Sequence, residues 1–459
     1  MSEFLDYSLM FESLRAEAEK PWLERVFLAP REFDLMTGPH SILVIGGEGM
    51  GKTALELQIK TYAAQKEAPC LLVASWRPQL PTEASSSDQV AEAFLAQTMD
   101  SLSFAFLQKI AQKPDVYSSA VPWARDFMLW FIHFYLQGDR MFHLSRLMDQ
   151  ATPEGLETVK FLLSEIPRPL FSQPTPVPTI MSHLTGSVKN MGFEGIWIFV
   201  EGLDVLFRTL PDRLEQFLYD FLSTLEFFED PAFVFKMFVP EELGNQLKAA
   251  RGVVTRRFKT FDIAWQEDEL IHVVEKRIAL ILNHENFSIS KLCTDDKWLI
   301  WLKKYAGTSP RGWLNLTQPI VAAYLEKKEI GLSKAEWRDV YRRYPPPLRL
   351  DLIAGRVFVG HGEVTLSGIG YKLLVYLYEN RHRPCTKSEL YYRVHKGLSK
   401  EPHNKEDEGW EDQPVWEGTM DTALWRLRQA VEWDTRKGVA PLYVISERGR
   451  GQIHLDHVL

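Results

Sequence analysis

The sequence has little cysteine, and what it has is scattered. Among 459 residues only Cys70, Cys293 and Cys385 are cysteines, at separations that match neither a disulfide framework nor a zinc-ligand spacing. That excludes disulfide-stapled secreted scaffolds and zinc ribbons, and it makes a reducing compartment, the cytoplasm, the expected location. Long hydrophobic runs are also missing. The most apolar one, FMLWFIHFYL at 127–136, is about half of what a membrane span requires and reads as a buried helix. The opening MSEFLDYSLMFESLRAEAEK is acidic and lacks the continuous apolar core of a secretory signal. Excess positive charge is absent too: 53 lysines and arginines face 61 acidic residues, a formal net charge of -8. Bulk attraction to nucleic acid or anionic lipid is thereby excluded, so such binding depends on a local patch, and no membrane partner is expected.

What remains is an ordinary globular composition, 45% hydrophobic and 25% charged, in a chain long enough for roughly three domains at about 150 residues each. Residues 1–38 read as a helical lead-in. From SILVIGGEGMGKTALELQIKTYA the pattern becomes strand, glycine loop, helix, and APCLLVAS supplies a second buried strand. About 80–190 is helical and aromatic-rich, followed by the strands IWIFVEGLDVL, FVFKMFVP and FKTFDIAW. This alternation predicts an α/β core with a parallel sheet over 39–265, carrying a helical insertion. Residues 266–344 read as helical, and Pro345, Pro346 and Pro347 form the strongest linker signal, setting off 345–459.

Residues 46–53, Gly46, Gly47, Glu48, Gly49, Met50, Gly51, Lys52 and Thr53, fit G-x-x-x-x-G-K-[ST] between a strand and a helix that continues with Ala54. Glycines let the backbone N–H groups turn inward onto phosphate oxygens, and the helix N-terminus adds its partial positive charge. Lys52 is expected on the β- and γ-phosphates and Thr53 on Mg²⁺. No N-K-x-D element for reading guanine is visible, so ATP (or ADP) is preferred over GTP. Phosphoryl transfer further needs a metal held against the phosphates and an oriented water. Glu201, directly after IWIFV, is the expected Mg²⁺ carboxylate, and Asp204 is expected either to orient water or to carry the metal contact itself.

These segments resemble the STAND class of AAA+-related P-loop ATPases, in which four apolar residues usually precede D-G-x-D-E. Here the run is Glu201-Gly202-Leu203-Asp204-Val205, so a glutamate replaces the first aspartate and Val205 the final acid. The departures bear on hydrolysis rather than on binding. The resemblance further implies a γ-phosphate sensor on the fourth core strand, FVFKMFVPEEL, with Lys236 or Glu241 as candidates, and makes 266–344 a helical lid whose GTSPRGWLNL helix start carries a second sensor candidate, Arg311. Arg256 and Arg257 are candidates for fingers acting in trans within a nucleotide-dependent homo-oligomer.

After the prolines, LRLDLIAGRVFVGHGEVTLS reads as short glycine-punctuated strands. GYKLLVYLYENR then gives a helix buried through Leu373, Leu374 and Leu377. Thr386 and Glu389 have capping-box spacing, and a third helix from Thr419 places Met420, Leu424, Leu427 and Val431 on one face. A terminal hairpin follows. The order resembles the OmpR/PhoB-type winged helix, through VTLSGIGYKLLVYLYEN, MDTALWRLRQAVE and ISERGRGQI. The resemblance implies that Thr422, Trp425, Arg426 and Arg428 face a DNA groove or a partner protein, with Arg448 and Arg450 at the wing. Residues 345–459 nevertheless hold 16 basic and 16 acidic side chains, where DNA-binding domains are usually basic. Trp425 also suits a protein interface. The expected function is therefore an ATP-dependent regulatory switch, a slow ATPase acting on DNA or a protein partner. The alternatives are a non-hydrolysing adaptor and an ATPase that oligomerises on DNA.

Overall fold

The structure, a computed structural model, describes residues 14, 16–65, 71–80, 87–171, 175–223, 230–249, 257–284, 286–408, 416–436, 439–447 and 451–459. The chain divides into two compact units, Ala29–Ala264 and Met1–Leu28 with Trp265–Leu459.

The first unit is built on five parallel strands, β1 (Ile42–Ile45), β2 (Leu71–Trp76), β3 (Gly195–Val200), β4 (Phe233–Val239) and β5 (Lys259–Asp262), in the order β2-β3-β4-β1-β5. The three inner strands, ILVI, GIWIFV and FVFKMFV, are buried at every position. A parallel sheet covered by helices on both faces requires such unbroken apolar runs. The edge strands differ, β2 alternating and β5 partly exposed. Because all five strands point the same way, the turns after β1, β3 and β4 emerge at one edge.

Around the sheet lie α1 (Lys52–Gln65), α2 (Ser87–Gln112), α3 (Pro122–Tyr135), α4 (Arg140–Leu147), α5 (Pro153–Ser164), α6 (Val177–Asn190), α7 (Leu203–Thr209), α8 (Pro211–Ser223) and α9 (Glu241–Ala249). The apolar run at 127–136 falls mostly in α3, where Phe127, Met128, Phe131 and Ile132 are buried. Among the described residues no helix is long and apolar enough to cross a membrane. Phe94 of α2 joins the layers, its ring meeting Phe217 and Phe221 of α8 and Phe235 of β4.

In the second unit the short turns Ala16–Glu19 and Leu23–Val26 pack on α10 (Glu267–Leu282), where Arg277 Nη2 donates to buried Glu19 at 2.7 Å. The helices α11 (Lys297–Ala306), α12 (Pro310–Glu326) and α13 (Lys334–Arg343) bury Trp298, Trp301, Trp313 and Trp337. Next come the antiparallel strands β6 (Leu348–Asp351), β7 (Arg356–Val359) and β8 (Gly362–Glu363). After them the chain forms α14 (Gly368–Glu379), β9 (Cys385–Thr386), α15 (Lys387–Leu390) and α16 (Trp416–Val431). A hairpin of β10 (Val444–Ser446) and β11 (Gln452–Leu455) closes the unit, with β9 on the far side of β11. Helix α16 starts three residues before Thr419, with Glu417 in its first turn, a favourable charge at that helix end.

The three prolines are built into the second unit rather than forming a tether. Pro346 O accepts from the Tyr443 hydroxyl at 2.6 Å, and Pro347 O from Gly360 N at 2.8 Å. The turn between β7 and β8 lies against α11, with His361 N donating to Tyr305 O at 2.8 Å. Packing is thus continuous from the helices into the strands, although the chemistry of the sequence changes sharply there.

Candidate phosphate-binding site

The loop after β1 is anchored on both sides: Gly46 N donates to Val239 O of β4 at 3.2 Å, and Ile263 N, just past β5, to Ile45 O at 2.8 Å. From there the chain turns through Gly49 and Gly51, whose φ of 77° and 93° a side chain would strain. Helix α1 opens at Lys52, with Thr53 and Ala54 half-buried in its first turn. Gly47 lies close to α9: a Cβ there would sit 3.4 Å from Glu241 Oε2.

Lys52 is only 7% exposed and turns back over its own loop. Its Nζ donates to Gly46 O at 2.6 Å and Gly47 O at 3.0 Å, and lies 3.3 Å from Asp204 Oδ1. Burial pushes its pKa down, opposed by the carboxylates of Asp204, Glu48 and Glu242. Asp204 reaches this position because Gly202, at φ 72°, turns β3 directly into α7. Lys52 and Asp204 thus meet across the strand edge.

Glu201 is differently engaged. Its backbone N donates to Trp76 O at 2.9 Å, and its carboxylate is gripped by Lys60 of α1, which also bonds Glu56 Oε1 at 2.5 Å. Arg77 Nε lies 3.6 Å from the other oxygen of Glu201. Burial works to raise the Glu201 pKa, but Lys60, the Ser75 hydroxyl and Arg77 hold it below the usual carboxylate range. Glu56 shifts the other way, to about 7, through burial and the nearby Glu201. Sequence reasoning passed over Glu56, Lys60 and Arg77, as well as Arg208, whose Nη2 lies 3.0 Å from Glu48 Oε2. The only available signal was helical spacing: Thr53, Glu56 and Lys60 fall at i, i+3 and i+7 on α1.

The glycine turns, the helix start and Lys52 fit a nucleotide's phosphates. The Mg²⁺ set of Thr53 and Glu201 does not fit, because both oxygens of Glu201 face cations. Among the described residues no group of three or more acidic, histidine or cysteine side chains stands ready for a metal.

Of the two sensor candidates, Glu241 opens α9 beside the loop, whereas Lys236 lies at the opposite end of the sheet. The parallel register pairs Lys236 with Ile42, three residues before the strand ends, and its Nζ donates to Met36 O, Gly38 O and His40 O at 2.7, 2.8 and 3.1 Å. Burial and Lys259 lower its pKa to about 7. It closes the strand entrance and does not reach a γ-phosphate at the exit. Arg256 lies outside the described residues. Arg257 is half-buried, its Nη1 donating to Leu222 O at 3.3 Å. In the second unit, Arg311 follows Ser309 and Pro310 at the start of α12, where the Ser309 hydroxyl accepts from Gly312 N at 3.1 Å.

On α16 the face bearing Thr422, Trp425 and Arg426 is exposed, with Trp425 at 59%, and Met420, Leu424, Leu427 and Val431 are buried. Arg428 departs from the contact set: its Nε donates to Val444 O at 2.8 Å and its Nη2 to the Ser446 hydroxyl, so it ties helix to hairpin. Arg448 and Arg450 lie outside the described residues.

No protein-family model matches the sequence, and no curated protein is significantly similar to it. Solved structures similar to the chain include the ORC2 protein of Aeropyrum pernix, in ADPNP-ADP complexes, at 12% identity, 96% of this chain, 88% of that chain and a TM-score of 0.32. Another is Cdc6p of Pyrobaculum aerophilum, at 10% identity, 99% of this chain, 94% of that chain and a TM-score of 0.30. The α/β assignment rests on the five-stranded parallel sheet itself.

Proposed function

We propose that the chain is an ATP-binding regulatory switch of the STAND-like P-loop kind. The unit Ala29–Ala264 holds the nucleotide, and the winged-helix-like end carries the output. The observation that carries this reading is the meeting of Lys52 and Asp204 over a two-glycine turn at the exit edge of a parallel sheet. Lys52 donates to Gly46 O and Gly47 O and pairs with Asp204. Phosphate oxygens would compete for the same ammonium and release Asp204 when they win. Arg311 of α12 is the residue proposed to report the γ-phosphate to the second unit, and turnover is slow.

Because Asp204 competes with phosphate, Asp204→Asn is expected to tighten binding of a fluorescent ATP analogue by roughly three- to tenfold, about 1 kcal/mol. Weaker binding by anisotropy titration would overturn the competition.

A second reading, a non-hydrolysing adaptor whose winged-helix-like end binds protein, is favoured by the exposed indole of Trp425 and the inward turn of Arg428. The two separate on duplex DNA. For a DNA reader, Arg426→Ala weakens binding about tenfold and reduces its salt slope by about 1, whereas an adaptor shows no salt-dependent binding for Arg426 to affect. Phosphate release from purified protein, with DNA or candidate partners present, decides whether the switch turns over.

A further inference from the structure

We propose that Lys60 is a built-in cation at Glu201, occupying electrostatically the place that a divalent ion takes in metal-dependent nucleotide sites. The consequence is nucleotide binding largely indifferent to Mg²⁺. The inference rests on the nucleotide-binding reading of the same loop, and it departs from the expectation that Glu201 is a metal ligand.

Four observations converge. Helix α1 runs straight out of the phosphate loop, and its Thr53, Glu56 and Lys60 share one face. The Lys60 ammonium bridges two carboxylates, Glu56 and Glu201, and stands 4.8 Å over the Phe199 ring. Only 22% of that side chain is exposed, so it is not a wandering surface lysine. The second oxygen of Glu201 faces Arg77, whose stem packs over Gly202, where a Cβ would lie 3.4 Å from two of its carbons.

Two carboxylates gripping one cation from facing elements is the arrangement a metal ion would adopt; here the cation is covalently part of the chain. Lys60 and Arg77 balance Glu56 and Glu201. A dication added there would meet the Lys60 ammonium already bonded to one oxygen of Glu201 and the Arg77 guanidinium 3.6 Å from the other, and would be repelled by both. Removing the Lys60 charge reverses this. Glu56 and Glu201 would then face each other with only the exposed Arg77 beside Glu201, a pair that recruits a cation or a proton.

The test uses the full chain with a fluorescent, non-hydrolysable ATP analogue, titrated in Mg²⁺ and in EDTA, together with Mn²⁺ alone followed by electron paramagnetic resonance. Wild type is expected to bind the analogue within about twofold in the two buffers and to leave Mn²⁺ free. Lys60→Met should open a gap of about tenfold between the buffers and bind Mn²⁺ without nucleotide, while Lys60→Arg, which keeps the charge, behaves as wild type. A tenfold gap in the wild type, or Mn²⁺ binding to it, overturns the proposal whether or not Lys60→Met folds. So does a folded Lys60→Met that gains no Mn²⁺. Should no variant and no buffer support analogue binding, the nucleotide reading fails, and the Mn²⁺ comparison still decides the role of Lys60.

Discussion

Lys52→Ala is expected to abolish nucleotide binding in practice, weakening it by about a hundredfold while the protein stays folded. Two charge-assisted hydrogen bonds to phosphate, at about 1.5 kcal/mol each, account for that factor. The fold should persist because the lost contacts are local. Gly47 O loses a donor where the loop is half-buried, buried Gly46 O loses one beside the space that the removed side chain opens, and Asp204, 39% exposed, is resolvated. The loop itself stays pinned by Gly46 N to Val239 O and by Ile263 N to Ile45 O. Equilibrium dialysis with labelled ATP, alongside a circular dichroism melt, gives the answer. Retained affinity in a folded variant would mean that phosphates do not occupy the loop.

The strands and the glycine turn between β1 and α1 were legible because their signals are local. An unbroken apolar run such as ILVI or IWIFV admits few readings beside a buried strand, and a glycine turn ending in Gly51-Lys52-Thr53 has a narrow structural meaning. The order of the strands was not legible, since it depends on which apolar faces meet in space. That order separates the fates of Lys236 and Glu241. The two are five residues apart, yet one lies level with the entrance of β1 and the other beside Gly47 at its exit. Glu201 illustrates the same limit. Its position at the end of β3 was readable, but its partners Lys60 and Arg77 arrive from α1 and from just past β2, 141 and 124 residues away in sequence. Arg428 was a contact candidate through the winged-helix resemblance, which does not reveal that in this chain its guanidinium engages the hairpin. The prolines at 345–347 read as a linker; that the segment is fastened on both sides follows from Tyr443 and Gly360, which no local pattern reveals.

That fastening yields the second large effect, Gly362→Ala. A Cβ on Gly362 would lie 2.1 Å from Lys304 O and 3.1 Å from the Lys304 carbonyl carbon and Tyr305 Cα. All three are backbone atoms of α11, so no flexible side chain can yield, and either the β7–β8 turn or the helix must move. Nor can the turn retreat cheaply: Val359 and Gly362 pair across it, and His361 N is bonded to Tyr305 O. The substitution is expected to destabilise the unit containing Trp265–Leu459 by about 3 kcal/mol, lowering its unfolding midpoint by roughly 6–12 °C. Gly368→Ala is the control. It has no atom within 4 Å of the new methyl and begins a helix, so it should be neutral or slightly stabilising. Calorimetry of both variants separates the steric effect from the general one of losing a glycine. The expected outcome has a functional corollary, because the same turn touches Gly312, one residue past Arg311: a Cβ on Gly312 would come 3.0 Å from His361 Cβ. If Gly362→Ala loosens the turn, the start of α12 loses its brace. In the proposed switch, the Arg311 signal should then reach the α16 surface less efficiently, while nucleotide binding by the Lys52 loop is unchanged.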